Sequence, residues 1–154
     1  MRARELAQPF PTVGLDTDAM EAARMLGQQR LPGLIVLGDD GRPWTVLPAS
    51  QVLRLVIPAY VQDDPALARA FDEKASDQLW SELDESTVRD MLPAERDVDE
   101  LPVVDPDATT VEVAAVMARV HSPLVAVVDG DELLGAITVS RLLDHLLPGP
   151  ATRP

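Results

Sequence analysis

Two stretches of the chain carry the same succession of hydrophobic and polar positions. Asp18-Ala19-Met20-Glu21 and Thr109-Thr110-Val111-Glu112 lie 91 residues apart. Each places a side-chain oxygen three positions before a Glu, the pattern of a capping box at a helix start. Helical spacing follows in both: Met20, Ala23 and Leu26 share one face, and Val113, Val116, Met117 and Val120 share the other. At the same offset Pro32 and Pro123 introduce the aliphatic runs Leu34-Ile35-Val36-Leu37 and Val125-Ala126-Val127-Val128. Their length fits buried strands, and each run meets a turn, Asp39-Asp40-Gly41 or Asp129-Gly130-Asp131. The second turn is one residue shorter, so second strands at Pro43–Leu47 and Leu133–Ile137 correspond at an offset of 90.

Each copy then closes with a helix that Ser50 or Ser140 can cap. Val52, Leu53 and Val56 form one apolar face, Leu142, Leu143 and Leu146 the other, and Pro58 and Pro148-Gly149 stop the helices. The lead-ins correspond too, with Arg4-Glu5-Leu6 and Arg89-Asp90-Met91 ahead of the copies. The pattern predicts an α/β (α+β) protein of two βαββα repeats, residues 1–57 and 88–147. A helical insertion spans 58–87, and a disordered tail covers 148–154. A copy of this size buries little alone. Two copies packed by pseudo-twofold symmetry would share one core and leave a cleft, where ligands tend to sit.

Composition narrows the chemistry. Hydrophobic residues make up 46% of the 154, with only 3% aromatic, so the core is aliphatic. The absence of cysteine removes disulfides, thiol catalysis and thiolate metal sites. A net charge of -13 argues against binding a nucleic-acid backbone. No secretory signal or membrane-length apolar run is present, so we expect a cytoplasmic protein that does not insert into a membrane.

Residues 61–100 hold 13 Asp/Glu against 4 Arg/Lys. Within this region Pro65–Glu73 and Ser76–Leu83 read as short helices. They either cover the module's own core or present Phe71, Trp80 and Leu83 as a partner-binding surface. The surrounding acids read as solvated surface.

With both units in register, the sequence resembles a tandem pair of CBS domains. The likeness rests on the capped helices, the strand ending in Val128-Asp129, and Leu134-Gly135-Ala136-Ile137-Thr138 before the last helix. It implies a paired regulatory module that commonly dimerises, binds adenine nucleotides in its cleft and acts on an enzyme or transporter. Carried onto this chain, ligand-binding positions fall at Gly135, Thr138 and Arg141, with Val103, Pro123 and Val125 beside them. In ligand-binding members the position of Arg141 is an Asp that holds the ribose hydroxyls. The first copy has Thr45, Pro48 and Gln51 at the corresponding positions, so neither copy carries that carboxylate. Gly33 and Leu124 stand where such members often have a basic residue. An Arg at 141 can instead clamp a phosphate or carboxylate, with the Thr138 hydroxyl beside it.

Other chemistry is poorly supplied. His121 and His145 are the chain's histidines, so a metal site is not expected. The Asp-rich turns lack the alternating carboxylates and distal Glu of a calcium loop. No phosphate loop, zinc motif or nucleophile elbow occurs, and we expect no catalytic residue and no obligatory cofactor. The expected function is a non-catalytic module sensing an adenosine-containing ligand for a separate effector. The alternative is a degenerate, ligand-independent adaptor acting through the insertion. We expect a homodimer, with Leu55, Ile57 and Leu147 as candidate contacts.

Overall fold

The computed structural model describes residues 1–149; the tail expected over 148–154 lies, from residue 150 onward, outside the described residues. The first sheet comprises β1 (Thr12–Val13), β2 (Gly33–Leu37) and β3 (Pro43–Pro48). The second comprises β4 (Val103–Val104), β5 (Leu124–Asp129) and β6 (Glu132–Thr138). In each, a short parallel strand joins an antiparallel hairpin, Thr12 facing Ile35 and Val103 facing Ala126. Both hairpins carry a register shift at the same place, after Val36 and after Val127. Helices α2 (Ala19–Gln28) and α3 (Ala49–Val56) accompany the first sheet, α7 (Thr110–Val120) and α8 (Val139–Leu146) the second. The expected mixed α/β class and the repeated order are what is found.

The chain forms two compact units whose boundaries cut across the sequence repeats. Residues 11–100 form one, and residues 1–10 join those from 101 onward in the other. The lead-in helix α1 (Ala3–Leu6) therefore belongs with the second sheet, and the lead-in helix α6 (Val88–Met91) with the first. Matched hydrogen bonds explain this. The Ala3 and Arg4 amides donate to the Ala108 and Pro106 carbonyls at 2.9 and 3.0 Å, and those of Val88 and Arg89 donate to Thr17 and Leu15, both at 2.9 Å. The acceptors are 91 positions apart in the chain. Apolar burial completes the docking: Ala3 and Leu6 are fully buried beside Val113, Met117, Val125, Val127 and Ile137. Val88 and Met91 join Val13, Ala22, Leu34 and Val52. A one-turn helix with two buried side chains is too short to hold its shape alone, so its fold is the docking.

Helix starts differ from the expectation in an instructive way. Thr109 Oγ1 accepts from the Glu112 amide at 3.1 Å, but Asp18 makes no such bond. The closing helix of each repeat begins after Pro48 or Thr138 rather than at Ser50 or Ser140. The ladders pair Gly33 with Pro48 and Leu124 with Thr138, which holds both residues extended, and the chain turns helical at the next residue.

The insertion is more broken than its sequence indicated. Pro58 starts an extra helix, α4 (Ala59–Asp63), and Pro65–Ala70 is a 3-10 helix. Next comes α5 (Glu73–Trp80), which begins earlier than expected because Asp72 Oδ1 accepts from the Ala75 amide at 2.7 Å. A 3-10 turn over Ser81–Glu85 follows.

Candidate functional site

The residues singled out in the second repeat gather where β6 turns into α8. Gly135 is buried because the N-terminal segment runs against it: a Cβ there would lie 2.4 Å from the Gln8 carbonyl oxygen. Gln8 and Ala136 exchange two backbone hydrogen bonds, both 3.0 Å, which lays residue 8 along the free edge of β6. Only glycine admits a backbone so close. The Thr138 hydroxyl accepts from the Arg141 amide at 3.2 Å, capping α8. Arg141 is half-buried, and its Nε donates to the Leu6 carbonyl at 3.2 Å. Its Nη nitrogens make no further hydrogen bond among the described residues. The guanidinium is thus held at one nitrogen and open at two.

The remaining expected ligand positions are divided. The Pro123 carbonyl accepts from the Val139 amide at 3.2 Å, so it borders the same helix start. Val103 lies on β4, separated from β6 by β5, and its side chain is half exposed. Val125 is a correction. It is fully buried among Val113, Val127 and Ile137, and its alternation on β5 turns it toward the core, where it offers a ligand no surface.

In the first repeat the matching positions hold the chain differently. Thr45 is 3% exposed, and its hydroxyl donates to the Asp99 carbonyl at 2.6 Å. Asp99 follows Gln8 by 91 positions. The same strand position therefore meets the same segment twice, once as glycine against backbone and once as threonine bonding to it. Sequence reasoning missed Leu6, Gln8 and Asp99 as partners of these positions, although a glycine inside a strand is itself a sign of close backbone approach.

His121 ends α7 in the left-handed conformation, φ 54°, and Arg30 takes the same φ just after α2. It serves as an exposed helix terminus. In the insertion, Leu83 is a second correction. At 3% exposed it belongs to the first unit's core, with Leu79 packed against it, so a partner cannot reach it. Phe71 is half-buried and Trp80 is 40% exposed.

Ion pairs repeat as well. Arg4 pairs with Asp107, and Arg89 lies 3.5 Å from Asp16, its equivalent acceptor. The Asp107 side-chain hydrogen bond, reinforced by its charge, raises the Arg4 guanidinium above its ordinary value.

Two βαββα repeats, each completed by a lead-in and each ending its hairpin at a helix start, define a tandem mixed α/β domain. Residues 88–148 match the CBS domain family model. A CBS domain-containing protein of unknown function from Kribbella flavida DSM 17836 is 54% identical, with a TM-score of 0.82 over 95% of this chain and 98% of its own. The chain belongs to the CBS-domain family. The CBS domain of a CBS domain-containing membrane protein from Sphaerobacter thermophilus shares the fold at 21% identity, TM-score 0.70, over 96% of this chain and 88% of its own. CBSX2 of Arabidopsis thaliana, in its complex with AMP, shares it at 15% identity, TM-score 0.63, over 94% of each chain. No curated protein matches the sequence. Among the described residues, no helix is long and apolar enough to cross a membrane.

Proposed function

We propose that the chain is a non-catalytic regulatory module that binds an adenosine-containing phosphate at the β6–α8 end of its second repeat. In this reading it biases a separate effector, an enzyme or a transporter, in the cytoplasm. The observation that carries the reading is Arg141. A guanidinium tethered through Nε to the Leu6 carbonyl, with both Nη groups open, presents a fixed cation where ligand-binding relatives present a carboxylate. Recognition here would begin with the phosphate rather than the ribose. That CBSX2 is found with AMP supports the choice of ligand class. The ligand would act by binding one arrangement of the module better than another.

A specific observation favours a second reading, a ligand-independent adaptor. The Thr138 hydroxyl already caps α8, and Gly135 already serves the Gln8 contact, so both conserve the unit's own fold without any ligand. Trp80, 40% exposed, is an aromatic of the insertion that such an adaptor would use. In either reading the chain works as a homodimer. Leu147, 61% exposed, is the best placed of the expected contacts, since Leu55 and Ile57 pack against their own core.

A thermal-shift panel of AMP, ADP, ATP, S-adenosylmethionine, NAD and cyclic dinucleotides separates the readings. A binder at a hundredfold excess over its Kd should stabilise the wild type by about 2.7 kcal/mol, and Arg141→Ala much less. Equal stabilisation of both removes Arg141 from the site. No shift from any compound overturns the sensor and leaves the adaptor.

A further inference from the structure

The unit formed by residues 11–100 contains a cavity of about 530 Å³ at the opposite end of its sheet from Pro48 and Gln51. It opens beside the β2–β3 turn. From Pro43 at the turn to Pro48 the strand runs five residues, about 16 Å at the usual rise. The size lies in the range of small-molecule sites.

Its walls come from a difference between the two lead-ins. Six positions separate Leu6 from Thr12, but twelve separate Met91 from Val103. The extra stretch contains Leu92, Pro93 and Glu95, which line the cavity together with Trp44 and Leu15. The longer connection thus encloses space against an indole.

The polar groups around it are unequally satisfied. Arg89 is bracketed by Asp16 and Asp39, each 3.5 Å from its Nη2. Asp40 gives one oxygen to the Arg42 amide at 3.0 Å. The Glu95 carbonyl accepts from the Val98 amide at 3.3 Å, but its carboxylate has no hydrogen-bond or ion-pair partner among the described residues. The cations of the rim are engaged, while one carboxylate is left over beside apolar and aromatic walls. Residues 11–100 carry 18 Asp/Glu against 8 Lys/Arg, a field that draws cations and repels anions. A cation next to an indole gains further attraction from the ring.

We propose that this cavity binds a small organic cation with a flat apolar body, of the aromatic amidine or amine class, with Trp44 as its wall and Glu95 as its counter-ion. The inference is independent of the nucleotide site, with which it shares no residue.

Benzamidine, benzamide and benzoate have one shape and three charges, and they test it on the full chain. Trp80→Phe leaves Trp44 as the sole tryptophan, so its fluorescence reports the cavity. Benzamidine should give a saturable change with a Kd of about 1 mM, as suits so small a ligand. Benzamide and benzoate should give none at the same concentrations. Glu95→Gln, at an exposed and unpaired position, should keep the fold and weaken benzamidine about fivefold. No saturable response to benzamidine, an equal response to benzoate, or an unchanged Kd in Glu95→Gln would each overturn the proposal.

Discussion

Gly135 and Thr45 occupy the same place in the two repeats, each on the second long strand and each next to an incoming segment that begins with a lead-in helix. At Gly135 the segment is pressed against the strand, with two backbone hydrogen bonds between Gln8 and Ala136. At Thr45 a side chain stands between, and its hydroxyl catches the Asp99 carbonyl at 2.6 Å. One residue difference therefore changes the closure from backbone-to-backbone to side-chain-to-backbone. It also changes what else can happen at the strand's end. In the second repeat the incoming segment brings the Leu6 carbonyl to Arg141 and fixes a cation there. The first repeat has Gln51 at that position. The two repeats therefore differ in what surrounds them: one holds an open guanidinium, and the other has a longer connection that walls a cavity.

The sharpest way to break this comparison is to make the repeats alike. Gly135→Thr should destabilise by about 4 kcal/mol or more, since its Cβ would collide with the Gln8 backbone at a positive φ. Chemical denaturation monitored by circular dichroism measures this, and a loss below about 1 kcal/mol would show that the close approach is not required. Next come the buried lead-in side chains. Leu6→Ala and Met91→Ala should each cost about 3 kcal/mol, because each leaves a void in a packed core. Thr45→Val should cost about 1–2 kcal/mol by leaving the Asp99 carbonyl without its donor in a part-buried position. The smallest effect should come from Arg4→Ala. With side chains 55% and 74% exposed, the Arg4–Asp107 pair is screened by water, and no shift in Tm should be resolved.

Much of the fold was legible because the aliphatic runs at 34–37 and 125–128 have strand length, and Pro, Gly and Asp residues punctuate both copies at corresponding places. The left-handed residues Arg30 and His121 extend that agreement into backbone geometry. The leading strands β1 and β4 were implied by the βαββα order but not located, since two residues carry no period and form only because a longer strand accepts them. The assignment of each lead-in to the other repeat's unit escaped for a related reason. Arg4-Glu5-Leu6 and Arg89-Asp90-Met91 match each other, so sequence alone cannot say which core takes which. Of the candidate site, Gly135, Thr138 and Arg141 came from the family resemblance and gather around the start of α8, whereas Val125 and Leu83 were misplaced because an apolar residue reads the same at a core and at a binding surface.

The crossed assignment of the lead-ins is measured most directly by amide hydrogen exchange of Leu6→Ala and Met91→Ala under native conditions. Leu6→Ala should lower protection over 124–138 more than over 33–48, and Met91→Ala should do the opposite. The same pattern in both variants, or the two patterns interchanged, would contradict it.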